Sequence, residues 1–354
     1  MEALPKADEG VVNTHDAGDK TQLTRRGRYS RASGGSTPTL TPQKLALLRF
    51  LGECRLLSLP QLARLCCPSE QSARRHLREL FDGGLVDIVA VSRSALAPAG
   101  SANDAGLLHG SAPNVYVATK AGLEILIHSG YAERAVLRRP ATVLGPKNAL
   151  FLAHELAVRD VRVLLHVDAL AHSPRQVLRW RDGADAHIPL APGSARPDAW
   201  FVYQIGWHTP GSEQADLKQP EPLPLVLVGL TEIDRGTERG NVRWGEKLDD
   251  YRALFGGNAL RSATGYRNAR VLVFVPDVRR RDSLAELLMT LIRDKGYPPR
   301  LRERFWLVEH EFLRHGALDA PVWRQPGDAI LRPLLSAELL LSVSNKRSAV
   351  TNQN

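Results

Sequence analysis

Cysteine is scarce: Cys54, Cys66 and Cys67 are the only three in 354 residues. They form no CxxC pair and leave one thiol over, which excludes a disulfide-stapled scaffold and suits a reducing compartment. Adjacent Cys66 and Cys67 read as small buried side chains at a helix end rather than as a redox pair or metal ligands. Long apolar runs are lacking too. The longest, Leu223 to Leu230, is interrupted by Pro224 and Gly229 and falls far short of the ~20 residues that span a bilayer. Residues 1–20 carry five acids and no apolar stretch, so no signal peptide is expected. There is no GxxxxGK phosphate loop and no internal repeat. A zinc-protease helix fails as well: His310-Glu311 is followed by Arg314 where the second histidine is needed, and His315 comes one residue late. These absences leave a cytoplasmic protein without a membrane association.

What is abundant is positive charge. Lys and Arg number 47 against 38 Asp and Glu, a net +9 with an isoelectric point near 9.7, which points to a polyanionic partner, nucleic acid before anionic membrane. The length fits two domains, and 43% hydrophobic residues are enough for a real core.

Residues 1–40 are polar and Gly/Ser/Thr-rich and read as a disordered tail. Its acids all lie at or before Asp19, whereas Arg25, Arg26, Arg28 and Arg31 follow with no acid until Glu53. This is either a basic arm for phosphates or a solvated linker. From Thr41 the pattern turns helical, with Pro42 at the first helical position and Leu45, Leu48 and Leu51 on one face. A second helix starts at Ser58, whose spacing to Gln61 makes a capping box, with Leu57 and Leu62 as a hydrophobic staple. A third starts after Ser69 and places Ala73, Leu77, Leu80 and Phe81 in one apolar stripe. Its other face carries Gln71, Ser72, Arg74, Arg75 and Arg78. Two strands, Leu85–Val91 and Val115–Ala118, bracket a long loop whose one basic residue is Arg93, and Thr119 caps a further helix.

Three helices followed by a strand pair is the order of a winged helix-turn-helix, expected over residues 41–137. Its third helix would enter the major groove of double-stranded DNA, with Arg74 and Arg78 one turn apart and Arg75 aimed at phosphates. Residues 138–147 read as a linker. A second domain over 148–320 follows as helix, three strands, helix, strand, helix, strand; residues 321–354 form an extension and polar tail. The fold class expected is thus α/β joined to a small α+β domain.

Carboxylates mark this second domain. Pro197-Asp198 opens one strand and the next ends Glu232-Ile233-Asp234. A period of two puts Glu232 and Asp234 on one face, and if the strands pair, Asp198 comes beside Glu232. Clustered acids of this kind suit a hard divalent cation such as Mg²⁺. Trp244, Lys247 and Tyr251 share one face of the following helix. His187 and His208 are isolated, and Tyr251 lacks the histidine cluster a relaxase tyrosine needs.

Pro-Asp followed by a strand ending Glu-x-Asp resembles the PD-(D/E)xK restriction-endonuclease-like fold. Arg196-Pro197-Asp198, then Glu232-Ile233-Asp234-Arg235-Gly236-Thr237-Glu238, then Lys247-Leu248 and Tyr251, preceded by His154, is similar to the plasmid replication-relaxation family over roughly residues 41–315. The resemblance implies a winged helix joined to a nuclease-like domain, with Asp198 and Glu232 as metal ligands and Glu155 as a further one. Asp198, Glu232, Asp234 and Lys247 would be its catalytic set. Asp234 stands where the nuclease pattern has lysine, and Lys247 is the residue that could replace it. Between Arg261 and Arg304 there are eleven basic residues against five acids; Arg279, Arg280 and Arg281 are either a grip on the DNA backbone or a solvated turn.

Two functions are compatible with these features. One is a DNA-binding replication/relaxation factor of a plasmid or mobile element, with a metal-dependent nickase or a degenerate nuclease domain. Its partners would be double-stranded DNA, replication or mobilisation proteins and a second copy of the chain. The other is a winged-helix transcriptional regulator whose C-terminal domain serves dimerisation or effector contact.

Overall fold

A computed structural model describes residues 27, 29–33, 38–89, 114–138, 146–208, 223–236, 241–314, 316 and 318–335. Arg25, Arg26, Arg28, the loop with Arg93, residues 139–145 of the expected linker, Thr237-Glu238 and the chain after Leu335 lie outside the described residues.

The N-terminal helices begin where their caps place them. Helix α1 (Pro42–Cys54) is capped by Thr41, whose hydroxyl accepts from the Lys44 N–H. Strand β1 (Leu57–Ser58) leads into α2 (Leu59–Cys66), where both halves of the Ser58/Gln61 capping box form, satisfying two backbone donors that the helix leaves open. Helix α3 (Glu70–Asp82) is capped by Ser69 and buries Ala73, Leu77, Leu80 and Phe81. Strands β2 (Val86–Val89) and β3 (Val115–Ala118) pair antiparallel. Leu57, read as a staple residue, also pairs with Tyr116, so β1 joins a three-stranded sheet of order β1-β3-β2. Helix α4 (Lys120–His128) is capped by Thr119.

Helix α5 (Pro146–Ala171) has 26 residues and starts inside the stretch expected to be linker. It serves both halves. Val163 joins the N-terminal core, whereas Val158, Val161, Leu164 and Leu165 pack on the second sheet. Arg159 donates to the Cys54 carbonyl at 2.9 Å, Arg162 reaches the Glu53 carboxylate at 2.7 Å, and Gln61 donates to the Leu156 carbonyl at 2.8 Å. The halves are therefore joined by a shared helix and not only by a tether.

His166 of α5 meets Phe50 of α1 edge-on, ring centroids 5.2 Å apart. Its Nε2 is shut off from solvent with no hydrogen-bond partner among the described residues. Burial, reinforced by the charges of Arg162 and Arg49, pushes its pKa down from 6.5 to about 3. The unfolded chain takes up a proton below pH 6.5 that the folded chain refuses, so this stability is complete above pH 6.5 and is lost as pH falls toward 3. The loss is roughly 2 kcal/mol at pH 5 at ~1.4 kcal/mol per pH unit. Melting curves at pH 7.5 and 5.0 should show a larger drop for the wild type than for His166→Phe; equal drops would refute the assignment.

The second half is a five-stranded mixed sheet flanked by helices. Strands β4 (Gln176–Asp182), β7 (Ala199–His208), β8 (Leu223–Ile233), β9 (Arg270–Val275) and β10 (Phe305–Glu309) lie in the order β10-β9-β8-β7-β4. β4, β7 and β8 run antiparallel, whereas β8, β9 and β10 are parallel. A small hairpin, β5 (Ile188–Pro189) and β6 (Ser194–Ala195), is too short for a periodic signal. One face of the sheet is covered by α6 (Asn241–Gly256), α7 (Ala259–Thr264) and α8 (Val278–Asp294), with Trp200, Val228, Leu230, Val271 and Val273 meeting Trp244, Leu248 and Leu284. The other takes α5, with Phe201, Tyr203, Leu227 and Phe274 in its core. Gly229 stands opposite Phe201, and a Cβ there would come 2.2 Å from the ring. Trp323 and Leu334, in the stretch expected to be an extension, are fully buried on this second face.

Candidate functional site

The register of β7 and β8 brings Asp198 and Glu232 together. Ala199 pairs with Thr231, and the Asp198 N–H donates to the Thr231 carbonyl at 2.9 Å. Asp198 Oδ2 accepts from the Ile233 N–H at 2.7 Å, and Oδ1 faces His154 Nε2 of α5 at 3.1 Å. Burial pushes the Asp198 carboxyl up, but the hydrogen bond and charge of His154, the Ile233 N–H and the charge of Lys247 outweigh it and leave the pKa low. For His154, burial acts downward and the Asp198 carboxylate more than offsets it, so its pKa is raised.

Glu232 is 1% exposed. The Lys247 ammonium of α6 lies 2.7 Å from Oε2, and the Tyr251 hydroxyl one turn on donates to Oε1. Burial raises the Glu232 pKa against the opposing charge of Lys247, and the nearby Asp198 charge adds to the rise. Trp244, on the same helix face, lies under the Lys247 ammonium at 5.0 Å. Tyr251 is buried and its pKa stands well above 10, chiefly through burial and then the Glu232 charge, which makes it a poor nucleophile. A cavity of about 490 Å³ opens on Glu232, Lys247 and Tyr251, and Arg196, Arg243, Glu246 and Asp250 line it as well.

Asp234 does not join this group. Its Oδ1 accepts from the Gly236 N–H at 2.6 Å, and its Oδ2 accepts from Trp244 and from Arg280, whose Nη2 is 2.6 Å away. At 2% exposure it is a pillar between β8, α6 and α8. Glu155 gives one oxygen to Arg159 at 3.1 Å, which also holds Asp182. Among the described residues, the only three acid or histidine side chains whose ligand atoms lie within 4.8 Å of one another are Asp168, His172 and Asp319. There Arg175 bonds to both acids. Asp198, Glu232 and Asp234 do not form such a group, because a period of two fixes a face but not the neighbours that claim each oxygen. Each oxygen of Asp198 and Glu232 has a protein partner as well, so a divalent cation there would compete with His154 and Lys247.

The third helix divides its basic residues. Gln71, Arg74 and Arg75 are exposed, and Ser72 is half-buried with its N–H turned to the cap at Ser69. Arg78 does not share the open face with Arg74. It pairs with Asp82 at 3.0 Å, donates to the Ser30 carbonyl at 2.8 Å and lies over the Phe81 ring. Beside it Arg31 bonds to the Phe81 carbonyl and Asp87 and stacks on the same ring at 4.4 Å. Residues 30–32, expected in a disordered tail, therefore form a strap against α3 and β2.

The Arg279–Arg281 run is mostly consumed by the fold. Arg280 holds Asp234, and Arg281 is buried against Glu309 at 2.8 Å; only Arg279 of the three is exposed. A run of arginines after a strand beside a buried acid could have signalled this, had the partner been adjacent in sequence.

No helix among the described residues is long and apolar enough to cross a membrane. No curated protein and no solved structure matches the chain. The model of one family, described as replication-relaxation, matches residues 48–268, a span that holds α3, His154, Asp198, Glu232, Lys247 and Tyr251. On that match over more than half its length, the chain belongs to the replication-relaxation family.

Proposed function

We propose that this protein is a double-stranded DNA-binding replication/relaxation factor of a plasmid or mobile element, built from a winged helix-turn-helix and a degenerate nuclease-like domain that grips DNA without cutting it. The observation that carries the reading is α3. It is braced by α2, followed by an antiparallel strand pair, buried along one stripe and open on the other through Gln71, Arg74 and Arg75. Helix diameter and guanidinium reach suit the major groove. Family membership supports the replication role.

The nuclease-like reading draws support from the order helix, three strands, helix, strand, and from Asp198, Glu232 and Lys247 converging at the β7/β8 strand ends. Lys247 sits where a lysine displaced from the strand onto the next helix would reach the acid. Mg²⁺ would have to displace His154 from Asp198 or Lys247 from Glu232, and the loss of that buried pair opposes it. Supercoiled plasmid incubated with the full chain in Mg²⁺ or Mn²⁺ is accordingly expected to be bound but left unnicked. Metal-dependent nicking that disappears in Asp198→Asn would overturn the degenerate reading and establish a nickase.

A further inference from the structure

The arginines left over from the site assemble elsewhere. No acid occurs between Asp250 and Asp277, and this stretch forms the end of α6, α7 and β9. Arg304, at the end of the 3₁₀ turn Pro299–Arg304, donates to Asn268 and to the Ala269 carbonyl and lies over the Phe255 ring at 5.1 Å. Arg270, the first residue of β9, lies over Trp306 at 4.5 Å and bonds to the Leu334 carbonyl. Neither has a carboxylate partner among the described residues. Burial, with the neighbouring Arg304 charge, brings the Arg270 pKa down to about 10, and burial lowers that of Arg304 against the charge of Glu303. Arg261 on α7, Arg267 next to the Asn268 that Arg304 holds, and Arg300 on the same 3₁₀ turn as Arg304 are exposed, and Arg179 of the edge strand reaches the Thr264 carbonyl at 3.2 Å. The group lies where β9 and β10 begin, whereas Glu232 lies where β8 ends. It is thus at the other end of the strands from the acids.

We propose that Arg261, Arg267, Arg270, Arg300 and Arg304 form a second nucleic-acid surface, which holds the phosphodiester backbone independently of α3 and of the Asp198/Glu232 site. Holding two half-buried guanidinium groups together without a counter-charge is costly in the free protein, and a phosphate supplies the missing charge. Arginine is suited to it because an exposed planar fork takes two phosphate oxygens at once, while Arg270 and Arg304, already held by rings and carbonyls, add uncompensated charge behind it. Because the proposed contacts go to phosphates and not to base edges, the surface adds affinity without sequence preference.

The proposal rests on the DNA-binding reading, and the experiment separates the two. Binding of the full chain to a random-sequence duplex is followed by fluorescence anisotropy across a KCl series, for wild type and for Arg261→Ser/Arg267→Ser/Arg300→Ser. These three residues are exposed, so the variant is expected to melt with the wild type. Counterion release gives a slope of log affinity against log salt of roughly −0.9 per phosphate engaged. The triple variant should bind more weakly at low salt with a slope shallower by about 2 to 3, while keeping its preference for a selected duplex over a random one. An unchanged slope in the triple variant overturns this proposal and leaves the α3 reading standing. A wild type that binds no duplex at any salt removes the DNA-binding reading and this surface with it. Competition by poly-glutamate as effective as by duplex of equal charge reassigns the surface to an acidic protein, which also overturns the proposal.

Discussion

With Arg74 and Arg75 both changed to alanine, the full chain is expected to lose sequence-specific DNA binding while melting at the wild-type temperature. Both side chains are exposed on α3, Arg75 within reach of the Glu79 charge, so removing them leaves the core of Ala73, Leu77, Leu80 and Phe81 untouched. A good contact to a base edge is worth ~1–3 kcal/mol. Loss of two weakens binding by roughly 30-fold to 10⁴-fold on that basis. The duplex to use is one that the wild-type chain selects from a random pool, measured by gel shift against an unselected competitor. Arg78→Ala is the informative contrast. Because Arg78 holds Asp82 and the Ser30 carbonyl, its loss should loosen the strap and lower the melting temperature slightly, with a smaller effect on sequence preference. Unchanged affinity in the Arg74/Arg75 variant would remove α3 as the recognition element. A larger loss of specificity from Arg78 alone would show that the strap opens on DNA.

Glu232→Ala should be the most damaging single change in the second half, and the sign of its effect decides what the acid is for. Glu232 is buried and takes both the Lys247 ammonium and the Tyr251 hydroxyl. Its removal strands a cation and a buried donor, and breaking such a pair typically costs ~3–5 kcal/mol. The melting temperature should fall sharply and Tyr251 should become accessible to fluorescence quenchers. Glu232→Leu combined with Lys247→Leu removes both charges together and should recover much of the loss. An acid kept for a cation among mutually repelling carboxylates would behave oppositely, since its removal relieves repulsion. A Glu232→Ala protein more stable than wild type, or one whose only defect is lost Mg²⁺ binding, would refute the structural pair and restore the metal site.

The difference between those outcomes follows what the sequence could and could not disclose. Caps were legible because they are local: Thr41, Ser58 with Gln61, Ser69 and Thr119 each sit within three residues of the N–H they accept. The apolar stripe of α3 and the placing of Glu232 and Asp234 on one face followed from helical and strand periodicity alone. The strand β1 and the hairpin β5/β6 escaped because two residues give no period. Helix α5 begins inside the stretch that reads as linker, since nothing in its own residues says that Arg159 and Arg162 will reach back to Cys54 and Glu53.

The site shows the same division more sharply. Residue types and spacing by themselves determined that a basic chain would present arginines opposite the buried stripe of α3, and that acids would gather where β7 begins and β8 ends. Only the tertiary structure decided which of these groups remain available. Arg78 is spent on the strap, Arg280 on Asp234, Arg281 on Glu309, Arg159 on Glu155 and Lys247 on Glu232. Except for the one-turn pair Arg159–Glu155, these partners lie between 15 and 48 residues apart in the chain. An ion pair is chosen by distance in space and by the cost of leaving a buried charge alone, and neither quantity is written in the local order of the residues.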